Sequence, residues 1–353
     1  MKLLVTGICG FVGSQLSEAL LKRFTGLEIT GIDNLSRRGS ELNFARLKGL
    51  GCRVLHGDVR LPEDLADLPQ VDWVLDCAAI PTVLAGLTGG AAQLVGNNLT
   101  GTLHLLEKCR RERAGLIILS SSRVYSIRAL CALPLRRADV RLEVDPDVSV
   151  PVGFSDAGVA ESFSTEAPVS LYGATKLASE VMAIEYGQAF DFPVRINRCG
   201  VIAGPGQFGR IDQGIFSYWV YQWIQGKPLN YIGFGGEGLQ VRDFLSPEDL
   251  VELVALQLAD PGHRAPPILN VGGGKERSLS LRELSSFCER ALSVRREIGS
   301  VPETRPYDIP YYVTDCRAVS QHWSWRPKQP AEATLEAIVR WARDHAAELI
   351  SFD

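Results

Sequence analysis

An α/β fold, with a doubly wound parallel sheet and a smaller C-terminal α/β unit, is predicted by three observations. Short apolar runs alternate with longer stretches of helical period along much of the 353 residues, the pattern of strands covered on both faces by crossover helices. Three glycines, Gly7, Gly10 and Gly13, fall between the first apolar run and the first helical stretch. After residue 195 the rhythm loosens and glycines cluster again at 204, 206 and 209, which marks a second unit. The boundaries read as 1–195 and 196–353, with some later segments returning to the first unit.

Lys2–Thr6 reads as a buried strand because Leu3, Leu4 and Val5 are consecutive and apolar. The first helix follows over 11–24, with Leu16, Leu20 and Leu21 on one face. A second strand spans 27–33, and runs at 52–56, 73–77 and 115–121 supply three more. Long helices are expected over 94–113 and 172–190, then a strand at 194–198. The segment 128–170 breaks this order with Pro134, Pro146, Pro151 and Pro168 and holds no sustained period. It is longer than an ordinary connection and reads as a lid or binding loop. Phe216, Tyr218, Trp219, Tyr221 and Trp223 read as a packed helix face. A helix is expected to begin near Glu248 and another to cover 330–350.

Composition narrows the function classes. Hydrophobic residues make up 46%, and 37 basic against 41 acidic side chains leave a net charge of −4. A nucleic-acid partner needs a dense basic face, so this balance argues against one. No apolar run reaches membrane-spanning length, and the chain opens on strand residues without a leader, so a cytoplasmic protein is expected. The eight cysteines are scattered, none spaced as CxxC. They read as reduced, largely buried thiols, with neither a metal site nor a disulfide framework.

The glycine triple follows a strand and opens a helix, which makes it a dinucleotide signal. Gly7 permits the tight turn, Gly10 leaves room for a diphosphate, and Gly13 lets helix and strand pack closely. The free amides at the helix start, with Phe11 and Val12, face that diphosphate. These features make the sheet Rossmann-like. Asp33 ends the second strand, 20 residues beyond Gly13, where a carboxylate accepts both ribose hydroxyls and repels the extra phosphate of NADP. Asn34 follows it, and Asp58 and Val59 stand where the next strand ends, facing the adenine or solvent. NAD is the expected cofactor. Arg37 and Arg38 keep NADP open as an alternative.

Tyr172 and Lys176 are four residues apart and share a helix face. An ammonium beside a phenol favours the phenolate, so the pair can move a proton to and from a sugar hydroxyl. Lys176 can also hold the nicotinamide ribose. Ser121 emerges from the strand end at 115–121, where doubly wound proteins bind ligands, and can relay the proton and steady an alkoxide. No GxSxG elbow surrounds it, so nucleophilic serine chemistry lacks support.

With these residues in view, the chain resembles the extended short-chain dehydrogenase/reductases of the sugar-nucleotide epimerase and dehydratase group. The likeness spans nearly the whole length. It rests on the glycine turn, Asp33-Asn34, the Asn98-Leu99-Thr100-Gly101-Thr102 run, the serine strand, the Tyr172/Lys176 pair and Gly238-Leu239-Gln240-Val241-Arg242-Asp243. The resemblance implies that Ser121, Tyr172 and Lys176 are catalytic and that Asn98 shapes the cofactor end of the site. It also implies a firmly held NAD that is regenerated in each turnover, and a homodimer. Ala78 is expected beside the cofactor, although its Cys77-Ala78-Ala79-Ile80 loop departs from the histidine-led loop common in the group.

Within the group, the likeness is strongest to the CDP-paratose 2-epimerases, also called CDP-tyvelose 2-epimerases. It is carried by Asp33 to Gly39, by Gly206-Gln207-Phe208 with Asp212-Gln213-Gly214, and by Arg305-Pro306-Tyr307-Asp308. The 4,6-dehydratases of the group carry an aspartate–glutamate pair for water loss; here Ser122 and Arg123 stand in those places. Val201 replaces an asparagine usual in 4-epimerases. Ser122, Arg123, Val201, Gln207, Asp212, Gln213, Arg242, Arg305 and Asp308 are the expected substrate contacts, with Arg242 and Arg305 on the diphosphate. The expected reaction is inversion at C2 of a CDP-sugar, CDP-paratose to CDP-tyvelose, through a transient 2-keto sugar. The alternatives are inversion at C4 of a UDP-sugar and a non-catalytic nucleotide sensor or scaffold.

Overall fold

In a computed structural model, which describes residues 1–87 and 89–351, seven parallel strands form the central sheet. They are β1 (Lys2–Thr6), β2 (Glu28–Asp33), β3 (Arg53–His56), β4 (Trp73–Asp76), β5 (Gly115–Ser121), β6 (Val194–Cys199) and β7 (Ile268–Val271). Their order across the sheet is β7-β6-β5-β4-β1-β2-β3, so the winding reverses between β1 and β4. At such a reversal the flanking helices diverge and leave a crevice at the C-terminal strand ends. Thr6 pairs with Asp76, and Ser121 with Cys199, which sets the site-bearing ends on one edge. The strands are largely apolar because both faces are covered; Leu3, Leu4, Val5, Ile117 and Ile118 have no exposed surface.

Helix α1 (Phe11–Arg23) buries Leu16 and Leu20 in one core with Leu250, Leu253 and Val254 of the Pro247–Ala259 helix. A segment from the second half of the chain therefore completes the first unit, as β6 and β7 do. The long helix expected over 94–113 is interrupted. Ala91–Val95 is α-helical, Gly96–Thr100 widens into a π turn, and the α-helix resumes over Gly101–Glu112. The Asn98 carbonyl accepts from the hydroxyls of Thr102, at 2.9 Å, and Ser179, at 3.0 Å, bonds that stand where a regular helix has only backbone partners.

The C-terminal unit centres on the Val241–Leu245 strand. It runs parallel to Val201–Ile202 and Tyr311–Tyr312 and antiparallel to Ser278–Ser280. Phe216, Trp219 and Trp223 of the Ile215–Gln225 helix pack with Phe287, Leu335 and Ile338 in a separate core. The joint between the units is closed by Asp243, which is fully buried and accepts from the amides of Gly273 and Gly274 at 2.8 and 3.0 Å. Burial pushes its carboxyl up to about 6 despite those bonds. A Cβ on Gly272 would collide with Thr314, and one on Gly273 with the Phe244 carbonyl.

The 128–170 segment corrects an expectation. It forms two small hairpins, Leu135–Arg137 with Leu142–Val144 and Phe154–Ser155 with Gly158–Val159. None of its residues lines the main cavity. Leu130, Leu133, Phe154, Val159 and Phe163 instead share a core with Val241, Tyr311 and Tyr312. The Val159 amide bonds the Val313 carbonyl at 2.8 Å. The segment is a brace between distant parts of the chain.

A buried ion pair ties the helix Ser170–Phe190 to the sheet. Arg198 on β6 meets Glu180 at 2.7 Å, with the two side chains 6% and 1% exposed. Ser120 on β5 donates to the same carboxylate at 2.5 Å. Burial alone pulls the Arg198 guanidinium down, but its bonds to Glu180 outweigh that and hold it above the usual range. Glu180→Ala leaves the arginine buried without its counter-charge, which should destabilise the fold by about 3–5 kcal/mol. Denaturant unfolding of the variant against wild type measures this.

Candidate active site

The crevice is a cavity of about 460 Å³ that runs from the glycine turn to the C-terminal unit. At its near end Gly7 adopts φ +59°, open to glycine but strained for other residues. A Cβ on Gly13 would collide with the Gly7 carbonyl, so the turn and helix close only with glycine there. The first backbone bond inside α1 is Ser14 to Gly10, at 3.0 Å. The amides of Phe11, Val12 and Gly13 precede it and lie at the cavity wall, an arrangement that suits a diphosphate. The residues present fit a dinucleotide.

Asp33 supports this turn from behind. Its carboxylate accepts from the Cys9 amide at 2.9 Å and the Leu35 amide at 2.8 Å. Burial still pushes its carboxyl up, against those bonds. The cavity wall at this end is made by Arg37, Arg38, Ser40 and Asn43, while Asp33, Asn34, Asp58, Val59, Ala78 and Asn98 do not line it. Asp58 is held by Arg60 at 2.6 Å and by Asn34 at 3.1 Å, and the Arg60 bonds pull its carboxyl down to about 2. Asn98 accepts from the Ile80 amide at 2.8 Å and donates to Thr175 at 3.2 Å, so it fixes the 77–80 loop against the helix that bears Tyr172.

Ser121, Tyr172 and Lys176 all reach the middle of the cavity. Tyr172 is 7% and Lys176 2% exposed. The Lys176 ammonium donates to the Leu119 carbonyl at 3.1 Å, one N–H of three, and that anchor aims it along the strand end. Ser121 accepts from the Arg123 amide at 3.1 Å, which leaves its own proton free to donate. Gly173 is required beside them, because a Cβ there would strike the Arg123 carbonyl. Cys9, Cys77 and Cys199 also line the cavity, and burial pushes all three thiols up, Cys9 and Cys199 to about 12. They are unreactive as nucleophiles.

Every expected substrate residue lines the same cavity: Ser122, Arg123, Val201, Gln207, Asp212, Gln213, Arg242, Arg305 and Asp308. Arg242 is fixed by the Asp308 carboxylate at 3.1 Å and the Ile309 carbonyl at 2.5 Å. Burial nevertheless pulls its guanidinium down to about 10. Gln207 is spent internally: its side chain donates to the Ile202 carbonyl at 3.0 Å and accepts from Ser217 at 2.8 Å. Its role is to shape the loop. Sequence reasoning missed the apolar floor, Trp219, Leu229, Ile232 and Leu281. Part of the aromatic stripe thus serves both a core and the cavity, which helical periodicity alone does not reveal.

Residues 3–272 match the model of the NAD dependent epimerase/dehydratase family. The chain belongs to this family. It is 28% identical to CDP-paratose 2-epimerase of Salmonella typhi over 351 residues, covering 97% of this chain and 99% of that one. It is 26% identical to UDP-glucuronate 4-epimerase of Thermodesulfobacterium geofontis, covering 97% and 96%. Among solved structures, UDP-glucuronic acid 4-epimerase from Bacillus cereus, in complex with UDP-glucuronic acid and NAD, matches with a TM-score of 0.75 at 26% identity, covering 98% and 99%.

Asp33→Ala should weaken NAD binding, since the turn loses the acceptor of the Cys9 amide, and should narrow the preference for NAD over NADP. Titration of the cofactor-free variant with each dinucleotide reads both effects. An unchanged preference would assign cofactor choice to Arg37 and Arg38.

Proposed function

We propose that this enzyme inverts one carbon of a nucleotide sugar by transient oxidation and re-reduction, with NAD held firmly and restored in each turnover. The observation that carries the reading is convergence: Ser121, Tyr172 and Lys176 line one cavity together with the glycine turn and with Arg242, Arg305 and Asp308. Residues 1–195 then mainly hold NAD, and 196–353 mainly grip the nucleotide sugar.

NAD, when bound, supplies the hydride acceptor and later the donor. Tyr172 takes the proton of the reacting hydroxyl on its phenolic oxygen and returns it in the second half-reaction. Ser121 donates to the same sugar oxygen and steadies its charge. Lys176 follows Tyr172 by one helical turn, and the N–H groups it does not spend on the Leu119 carbonyl suit the nicotinamide ribose. Arg242 and Arg305 hold the diphosphate while the ketone turns its other face, a swing about the sugar–phosphate bonds. A sensor that only binds NAD has no use for the first three side chains together.

Two finer assignments divide the support. Inversion at C4 of a UDP-sugar draws on the greater number of similar proteins, including the Thermodesulfobacterium and Bacillus cereus enzymes. Inversion at C2 of CDP-paratose draws on the Salmonella relative, matched over 99% of its length, and on Val201 at the cavity wall. Product analysis by mass spectrometry and NMR, with a panel of CDP- and UDP-sugars, separates base and carbon together.

Tyr172→Phe should keep the fold and NAD binding while losing on the order of 10²–10⁴ in turnover. An unchanged kcat in the folded variant would remove Tyr172 from this role. A substrate deuterated at the inverted carbon should yield product that retains the label in ordinary water. Washout would instead indicate proton abstraction and an enolic route.

A further inference from the structure

Two arginines, Arg123 and Arg242, line the cavity with Tyr172 and Asp308. Arg242 is paired with Asp308. Burial pulls the Arg123 guanidinium down, and the charge of nearby Asp308 only partly offsets it. Arg123 also presses on Arg242 as a like charge. Its one hydrogen bond from the side chain is a long one, to the Tyr307 carbonyl at 3.4 Å. Arg123 lines the cavity together with Tyr172 and Arg242. The placement is rigid, since the Arg123 amide is held by Ser121 and its carbonyl rests on Gly173. Desolvated guanidinium groups of this kind call for an anion from the ligand.

In a nucleotide sugar the diphosphate is attached at C1. C2 is the neighbouring carbon, whereas C4 lies across the ring. A sugar oxidised at C4 places its whole ring between Tyr172 and the diphosphate. A sugar oxidised at C2 brings the sugar-linked phosphate close to the tyrosine and therefore needs a cation there. Arg123 is that cation, and Arg242 lies next along the same wall.

We propose that Arg123 is a specificity-determining residue that binds the sugar-linked phosphate beside Tyr172 and so selects C2 as the carbon inverted. The inference rests on the nucleotide-sugar epimerase reading and deepens it. Ser121, Tyr172 and Lys176 serve either carbon equally. Arg123 discriminates by how near the phosphate sits when the reacting hydroxyl meets the phenol.

The test uses the full chain with its NAD. CDP-paratose and UDP-glucose are offered to wild type, Arg123→Met and Arg123→Lys, and products are assigned by NMR. Thermal melts confirm that each variant folds. Wild type should invert C2 of CDP-paratose. Arg123→Met should raise KM for it by about 10–100-fold, the loss of a charged hydrogen bond, and Arg123→Lys should recover much of that loss. Inversion at C4 of UDP-glucose alone, or a KM unmoved in folded Arg123→Met, overturns the inference and leaves the epimerase reading standing. Failure of a wider panel of nucleotide sugars to be inverted at any carbon, read by NMR, overturns the epimerase reading itself and this inference with it. Should Arg123→Met not fold, Arg123→Gln decides: it removes the charge and keeps a polar side chain, so a KM for CDP-paratose equal to wild type overturns the inference.

Discussion

The salt bridge between Glu180 and Arg198 sets the geometry on which the site depends. It joins the helix that carries Tyr172 and Lys176 to β6, and through Ser120 to the strand that ends at Ser121. Two charges in so dry a place are costly unless each finds its partner with good geometry. Here Arg198 approaches the carboxylate through both Nε and Nη2, and its guanidinium also lies over the Tyr125 ring at 5.1 Å. The helix therefore has one preferred placement along its axis. A slide by a single turn would separate the pair and at the same time draw tyrosine and lysine away from the serine.

Around that fixed centre the cavity is graded. The glycine turn offers backbone amides and no side chains, which suits a ligand that must lie close to the main chain. The middle holds hydroxyl, phenol and ammonium groups with few exposed atoms. The far wall mixes guanidinium groups with an apolar floor, as a ligand with a charged linker and a flat base requires. Under the proposed reading, these groups would serve different parts of a dinucleotide and a nucleotide sugar.

The parts legible in the sequence were those written in local pattern. The glycine triple sits between a strand and a helix, and Tyr172 and Lys176 sit one helical turn apart, so spacing alone locates them. What escaped depends on distant partners. The ion pair links positions 120, 180 and 198. The 128–170 segment, with its prolines and absent period, looks like a loop until Val241, Tyr311 and Tyr312 supply its core. At the π turn over 96–100, the hydroxyls of residues 102 and 179 bond the Asn98 carbonyl, and position 179 is distant in the chain. Asp33 was legible as a residue of the cofactor end, but its bond to the Cys9 amide, which braces the turn from behind, needed coordinates.

The joint at Asp243 has a consequence for how such a protein can change over generations. It is closed by glycines at 272 and 273 with no space for even one more carbon, and by a carboxylate that must reach two backbone amides. A lineage therefore has almost no tolerated substitutions there with which to re-angle one unit against the other. Under the proposed reading, a change of sugar preference falls to side chains that line the cavity, Arg123, Val201 and Trp219 among them. Diversification by repainting a rigid vessel leaves the cofactor's seat untouched while the cargo changes.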